Sequence, residues 1–183
     1  MKVLVAYYSD TGNTGLVAEA IYDEVVSEGH QADLCDADEV TGEVLDGYDL
    51  VFLGAACHDS TLAKPVLAIL DEITPLPGFK LAGFATHSTL MPEGGDWERG
   101  LYERWASGCP RAFDEASLEK GIEFLGYFGC QGRPSPRIER FIRNTIVTDE
   151  AQFEEYATEA RKHPDELDLR RARTFAQDVL ARC

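Results

Sequence analysis

Leu50-Val51-Phe52-Leu53-Gly54-Ala55 is a run of six apolar residues with no polar alternation. A strand with one wet face alternates, whereas an unbroken run of this length suits a strand covered on both faces, as in a parallel sheet. Parallel neighbours cannot be joined by tight turns, so the chain between them must cross over, usually as a helix. The rest of the sequence agrees. Strand-like segments at Lys2–Tyr8, Gln31–Asp36, Lys80–Thr86 and Gly121–Phe128 alternate with helical patterns. In the first of these patterns, Thr14, Val17, Ala18, Ile21 and Val25 share one face and Gly29 is a natural stop. Helices are also expected at Pro65–Ile73, Trp97–Ala106 and from Pro164 to about Ala181. The last has Leu167, Ala172, Phe175, Ala176 and Val179 as core candidates. Ser107-Gly108-Cys109-Pro110 interrupts the helix after Ala106 before it resumes toward Glu119. Five strands alternating with helices predict an open α/β sheet with right-handed crossovers. Ligands of such sheets sit outside the carboxyl ends of the strands, at the switch point beside the first strand. That places a site at the segments starting at Ser9, Ala55 and Thr86.

Ser9-Asp10-Thr11-Gly12-Asn13-Thr14 joins the first strand to the first helix. Three hydroxyls, a conformationally free Gly12 and the amide-rich helix start make a cradle for one phosphate group without any Lys or Arg. The hexapeptide fits neither the GxxxxGK[ST] loop of nucleotide hydrolases nor the GxGxxG loop of dinucleotide sites. The Asp10 carboxylate is expected to point into solvent, away from a dianion. Taken alone, the same residues also describe a hydroxyl-rich helix cap with no ligand.

Val5 through Thr14, with Ala18 and Ile21 beyond, resembles the FMN-phosphate loop of flavodoxins. Ala6 departs, since the family usually places a larger apolar residue there. The resemblance in element order extends to about Phe128. It implies a flavodoxin-like three-layer sandwich, a five-stranded parallel sheet of order 2-1-3-4-5 with helices on both faces. It also implies non-covalent FMN and one- or two-electron transfer. The whole chain, 1–183, then forms one such domain, with 129–163 inserted between the fifth strand and the last helix. Cofactor-binding residues carried over are Ser9, Asp10, Thr11, Gly12, Asn13 and Thr14 for the phosphate. Ala55, Ala56, Cys57 and His58 follow for one side of the ring, and Thr86, His87, Ser88, Gly94 and Gly95 for the other. The family often stacks an aromatic residue in each ring loop. Here His58 is the nearest planar side chain in the first, and no Tyr lies between Thr86 and Asp96 in the second, where Trp97 is a possible substitute or a core residue.

Charge narrows the partners. The net charge is −16, and residues 1–98 carry 18 acids against the three bases Lys2, Lys64 and Lys80. Such a surface repels nucleic acid, whereas redox partner proteins with a basic docking face suit it. The bases gather in the second half. Arg133, Arg137, Arg140 and Arg143 either pair with the acidic half or form a docking or anion site. Five cysteines without CxxC spacing argue for free thiols and against a metal site. Cys130 is either buried or close to the flavin edge. No apolar run has membrane-span length and no leader is evident, so a cytoplasmic protein is expected. Three functions remain open: an electron carrier without a dedicated acid or base, an FMN-dependent NAD(P)H or quinone oxidoreductase similar to protoporphyrinogen oxidases, and a binding module without FMN.

Overall fold

A computed structural model describes all residues, 1–183. Its central sheet contains β1 (Lys2–Tyr8), β2 (Gln31–Asp36), β3 (Leu50–His58), β4 (Thr61–Leu62), β5 (Lys80–His87) and β6 (Glu123–Gln131). The five long strands run parallel in the order β2-β1-β3-β5-β6. Counted without β4, this is the expected 2-1-3-4-5. The added strand β4 folds back antiparallel on the end of β3, with Cys57 opposite Leu62 and His58 opposite Thr61. Asp59 and Ser60 make its two-residue turn, both at positive φ, which matches the twist of a hairpin.

Alternation on β1 divides the core. Val3 and Val5 face α1 (Asn13–Ser27) and α8 (Glu166–Leu180), in a core with Phe52, Phe84, Ala172, Ala176 and Val179. Leu4 and Ala6 face the opposite layer, α3 (Lys64–Glu72) and α5 (Gly108–Lys120), with Val51, Leu53, Ile69, Leu81 and Phe113. Both faces of β3 are therefore covered, which is why its apolar run needs no alternation. Packing within the sheet is tight in places: a Cβ on Gly54 would lie 2.1 Å from the ring of its cross-strand partner Phe84. Leu167 departs from expectation. It is 47% exposed, because the face of α8 that carries Ala172, Ala176 and Val179 is turned inward instead.

Helix α4 (Asp96–Trp105) stops at Ala106 and α5 begins at Gly108, close to the expected interruption. Between β6 and α8 lie α6 (Pro136–Thr145) and α7 (Glu150–Ala160). They share a small core of their own, Ile142, Val147, Phe153, Tyr156, Ala157 and Ala160, against which Leu90 packs. A four-residue helix α2 (Gly42–Leu45) completes the elements. No helix is long and apolar enough to cross a membrane.

Candidate cofactor site

The carboxyl ends of β1, β3 and β5 lie side by side, with Tyr8 opposite Ala55 and Ala55 opposite Ala85. A cavity of about 600 Å³ opens above them. Its floor and near walls come from Asp10, Thr11 and Asn13, from Ala56 to Ser60, and from Thr86 to Leu90. Three segments far apart in sequence thus meet where the switch point of an α/β sheet puts a ligand.

At the first segment, Gly12 adopts φ 85°, ψ −13°, a left-handed conformation that glycine enters without steric cost. This turns the chain into α1 with no side-chain cap on the helix. Leu16 is the first residue whose amide finds a partner, the Gly12 carbonyl at 3.1 Å, while the amides from Thr11 to Gly15 make no hydrogen bond. Ser9 and Gly12 lie behind the cavity lining, and Ser9 Oγ is buried and also without a partner. A buried hydroxyl left unpaired costs roughly 1–3 kcal/mol, so an acceptor at this spot would be stabilised by donors already in place. The donors are neutral, and the helix dipole adds partial positive charge.

The loop's other polar groups are engaged. Asn13 Nδ2 donates to the Arg133 carbonyl at 2.8 Å and to Thr11 Oγ1 at 3.0 Å. Thr14 is fully buried, its hydroxyl 2.8 Å from that of Thr86 below the cavity, and it lies outside the cavity lining. Asp10 differs from expectation. Its carboxylate does not stand free in solvent but accepts from the Tyr8 hydroxyl at 2.6 Å and meets His58 Nε2 at 2.9 Å. That hydrogen bond to Asp10 is the main cause that raises the Tyr8 phenol above its ordinary range.

The second segment is strand rather than loop as far as His58, because the hairpin to β4 extends β3. Ala55 is consequently buried within the sheet, while Ala56, Cys57 and His58 reach the cavity. The His58 ring meets Tyr8 edge to face, with centroids 6.0 Å apart. Cys57 Sγ donates to the Trp105 carbonyl at 3.3 Å. The neighbouring Cys57 sulfur, together with burial, pushes the Cys109 thiol far above the ordinary range.

In the third segment, Thr86, His87 and Ser88 line the cavity. Gly94 and Gly95 do not: they form the turn before α4. His87 is buried, with Nδ1 3.1 Å from the Thr89 carbonyl and Tyr102 edge-on at 5.2 Å. Burial lowers its pKa to about 4. The ring is therefore neutral at pH 7, Nδ1–H donates to Thr89, and Nε2 is left as an unpartnered buried acceptor.

Several lining residues were not singled out from the sequence: Trp105 from α4, Phe141 and Ile138 from α6, and Tyr156 from α7. Their only signal was an apolar stripe, Ile138-Phe141-Ile142, opposite the arginines in the inserted segment. Trp97, by contrast, is 50% exposed and neither lines the cavity nor enters the core. Cys130 is buried within β6, where burial raises its thiol, and it also lies outside the lining.

The family model for a flavodoxin domain matches residues 4–177. The chain belongs to the flavodoxin family. Flavodoxins are FMN-binding proteins, and the orphaned hydroxyl and amides of the cation-free Ser9–Gly15 segment suit that cofactor's phosphate. This flavodoxin is 29% identical over 187 residues to the flavodoxin-like domain-containing protein BilS of Clostridioides difficile, an alignment covering 98% of the chain and 97% of its relative. Among solved structures it resembles flavodoxin 2 of Bacillus cereus, with TM-score 0.64, 20% identity and full coverage of both chains. It also resembles rubredoxin oxygen:oxidoreductase of Desulfovibrio gigas, with TM-score 0.57 and 15% identity over 98% of this flavodoxin and 36% of that chain. These structural likenesses establish the fold.

Proposed function

We propose that this flavodoxin is an electron carrier. In this reading FMN lies with its phosphate among Ser9 and the amides of Thr11–Gly15. Its ring lies between the Ala56–Ser60 and Thr86–Leu90 segments. The unpaired Ser9 hydroxyl carries the reading, since a buried donor beside five free amides is a poor cap and a good phosphate seat. FMN bound there supplies one- or two-electron redox chemistry. The protein's part is to bind the phosphate, present the His87 Nε2 acceptor to the ring's donor edge, and keep the ring in a walled cavity. The acidic first half fits a partner with a basic docking face.

The test is the visible spectrum of the protein purified without added cofactor, followed by titration with FMN and riboflavin. Flavin bands and a strong preference for FMN are expected. Ser9→Ala should weaken FMN about 10-fold, by loss of one hydrogen bond to a charged group, and leave riboflavin affinity unchanged. Equal loss of both would remove the phosphate from this loop. An enzyme with its own substrate is the second reading. What favours it is the extent of the cavity beyond the cofactor segments. Rapid oxidation of NADPH or a quinol by the holoprotein would select that reading; inertness toward both would select the carrier.

A further inference from the structure

The cavity has two unlike halves. One is the polar half already assigned to the cofactor. The other is formed by α4 and the inserted α6, with Trp105, Ile138, Phe141 and Ile142 as its wall. Trp105 and Phe141 meet edge to face at 5.5 Å and 82°, and Phe141 remains 40% exposed. Two aromatic rings held against each other at an open cavity offer a large apolar surface with little freedom left to lose.

Arg137 is exposed, lines the cavity and lies one helical turn before Phe141 on α6. Arg143 and Arg161 are taken up by Glu150 and Glu139, at 2.5 and 2.8 Å, and the Arg133 side chain donates to the Arg161 carbonyl. Arg137 makes no ion pair and no side-chain hydrogen bond. In a chain of net charge −16, a guanidinium beside an aromatic wall and without an acidic partner is available to an anion.

We propose that this half of the cavity binds a small planar apolar molecule bearing one carboxylate. Its rings lie against Trp105 and Phe141, and its carboxylate takes the Arg137 fork. Arg pairs with carboxylates through two parallel hydrogen bonds. The inference rests on the FMN reading only in which half it leaves free.

The probes are 2-naphthoate and its neutral counterpart 2-naphthamide, titrated calorimetrically into the full chain as purified, with flavin content read from the visible bands. One naphthoate per chain is expected. Arg137→Gln should weaken naphthoate about 10-fold, as one charge-assisted contact implies, and leave the amide unchanged. Phe141→Ala should weaken both. Equal effects of Arg137→Gln on the two probes, or no binding, would overturn the proposal. So would naphthoate that binds only flavin-free protein and is displaced by FMN, since the aromatic half would then belong to the cofactor. A colourless protein would fail the cofactor reading alone, and the same two titrations would still decide this site.

Discussion

Between the Thr89 carbonyl and the edge of Tyr102, His87 has no room to become charged without cost. Its pKa is about 4 in the fold, against 6.5 for the free side chain. The folded state therefore holds fewer protons than the unfolded state between these values. Stability from this residue is complete above pH 6.5 and falls as pH drops toward 4, by up to about 3 kcal/mol. Urea unfolding at pH 7 and at pH 4.5 should show a smaller drop for His87→Gln than for the parent chain; equal drops would mean that His87 is not buried neutral. The place of Thr86 and His87 at the cavity was legible because they end an apolar strand at the predicted switch point. The contact of His58 with Asp10 was not, since it joins residues 48 positions apart and depends on a two-residue hairpin that no local pattern announces.

At the scale of elements, the inserted α6–α7 pair is fastened on two sides. The Tyr156 hydroxyl donates to the Ser88 carbonyl at 2.5 Å, and Asn13 of the phosphate loop donates to Arg133. The far end is held where His163 Nδ1 meets the buried Asp168 carboxylate, itself part of the capping box of α8. Tyr156→Phe removes one fastening and leaves the Ser88 carbonyl without that donor, which should cost about 1–2 kcal/mol. Amide exchange across 136–160 should then quicken roughly 5- to 30-fold with the central sheet unchanged; uniform quickening would mean that the pair does not open on its own. Both helices were legible in the sequence as helical patches at Arg137–Ile146 and Glu150–Arg161. Their partners were not. Of the clustered arginines, Arg143 pairs not with the acidic half but with Glu150 inside the insertion, where Arg161 likewise pairs with Glu139, because a helix pair with its own small core satisfies its charges locally. α2 and β4, at four and two residues, are too short for any periodicity to mark.

Over the whole molecule, an open parallel sheet followed from few rules, unbroken apolar strands, crossover helices and one handedness, while its strand order came from the resemblance to flavodoxins. The two cores on either side of β1 were implicit in its alternate residues. The location of the charge was legible too, but not which face it forms. With 18 acids against three bases in residues 1–98, electron exchange with a basic haem protein such as cytochrome c should slow about 10-fold or more between about 0.01 M and about 1 M salt. A rate independent of salt would exclude electrostatic docking. The proposed phosphate seat should behave differently. Gly12 turns neutral amides inward, and the Ser9–Thr14 loop contains no Lys or Arg to be masked by dissolved anions. Brine strong enough to strip a charged partner from the surface should therefore leave the protein yellow. A chromatographer could separate the complex with a salt gradient and collect the carrier with its pigment intact.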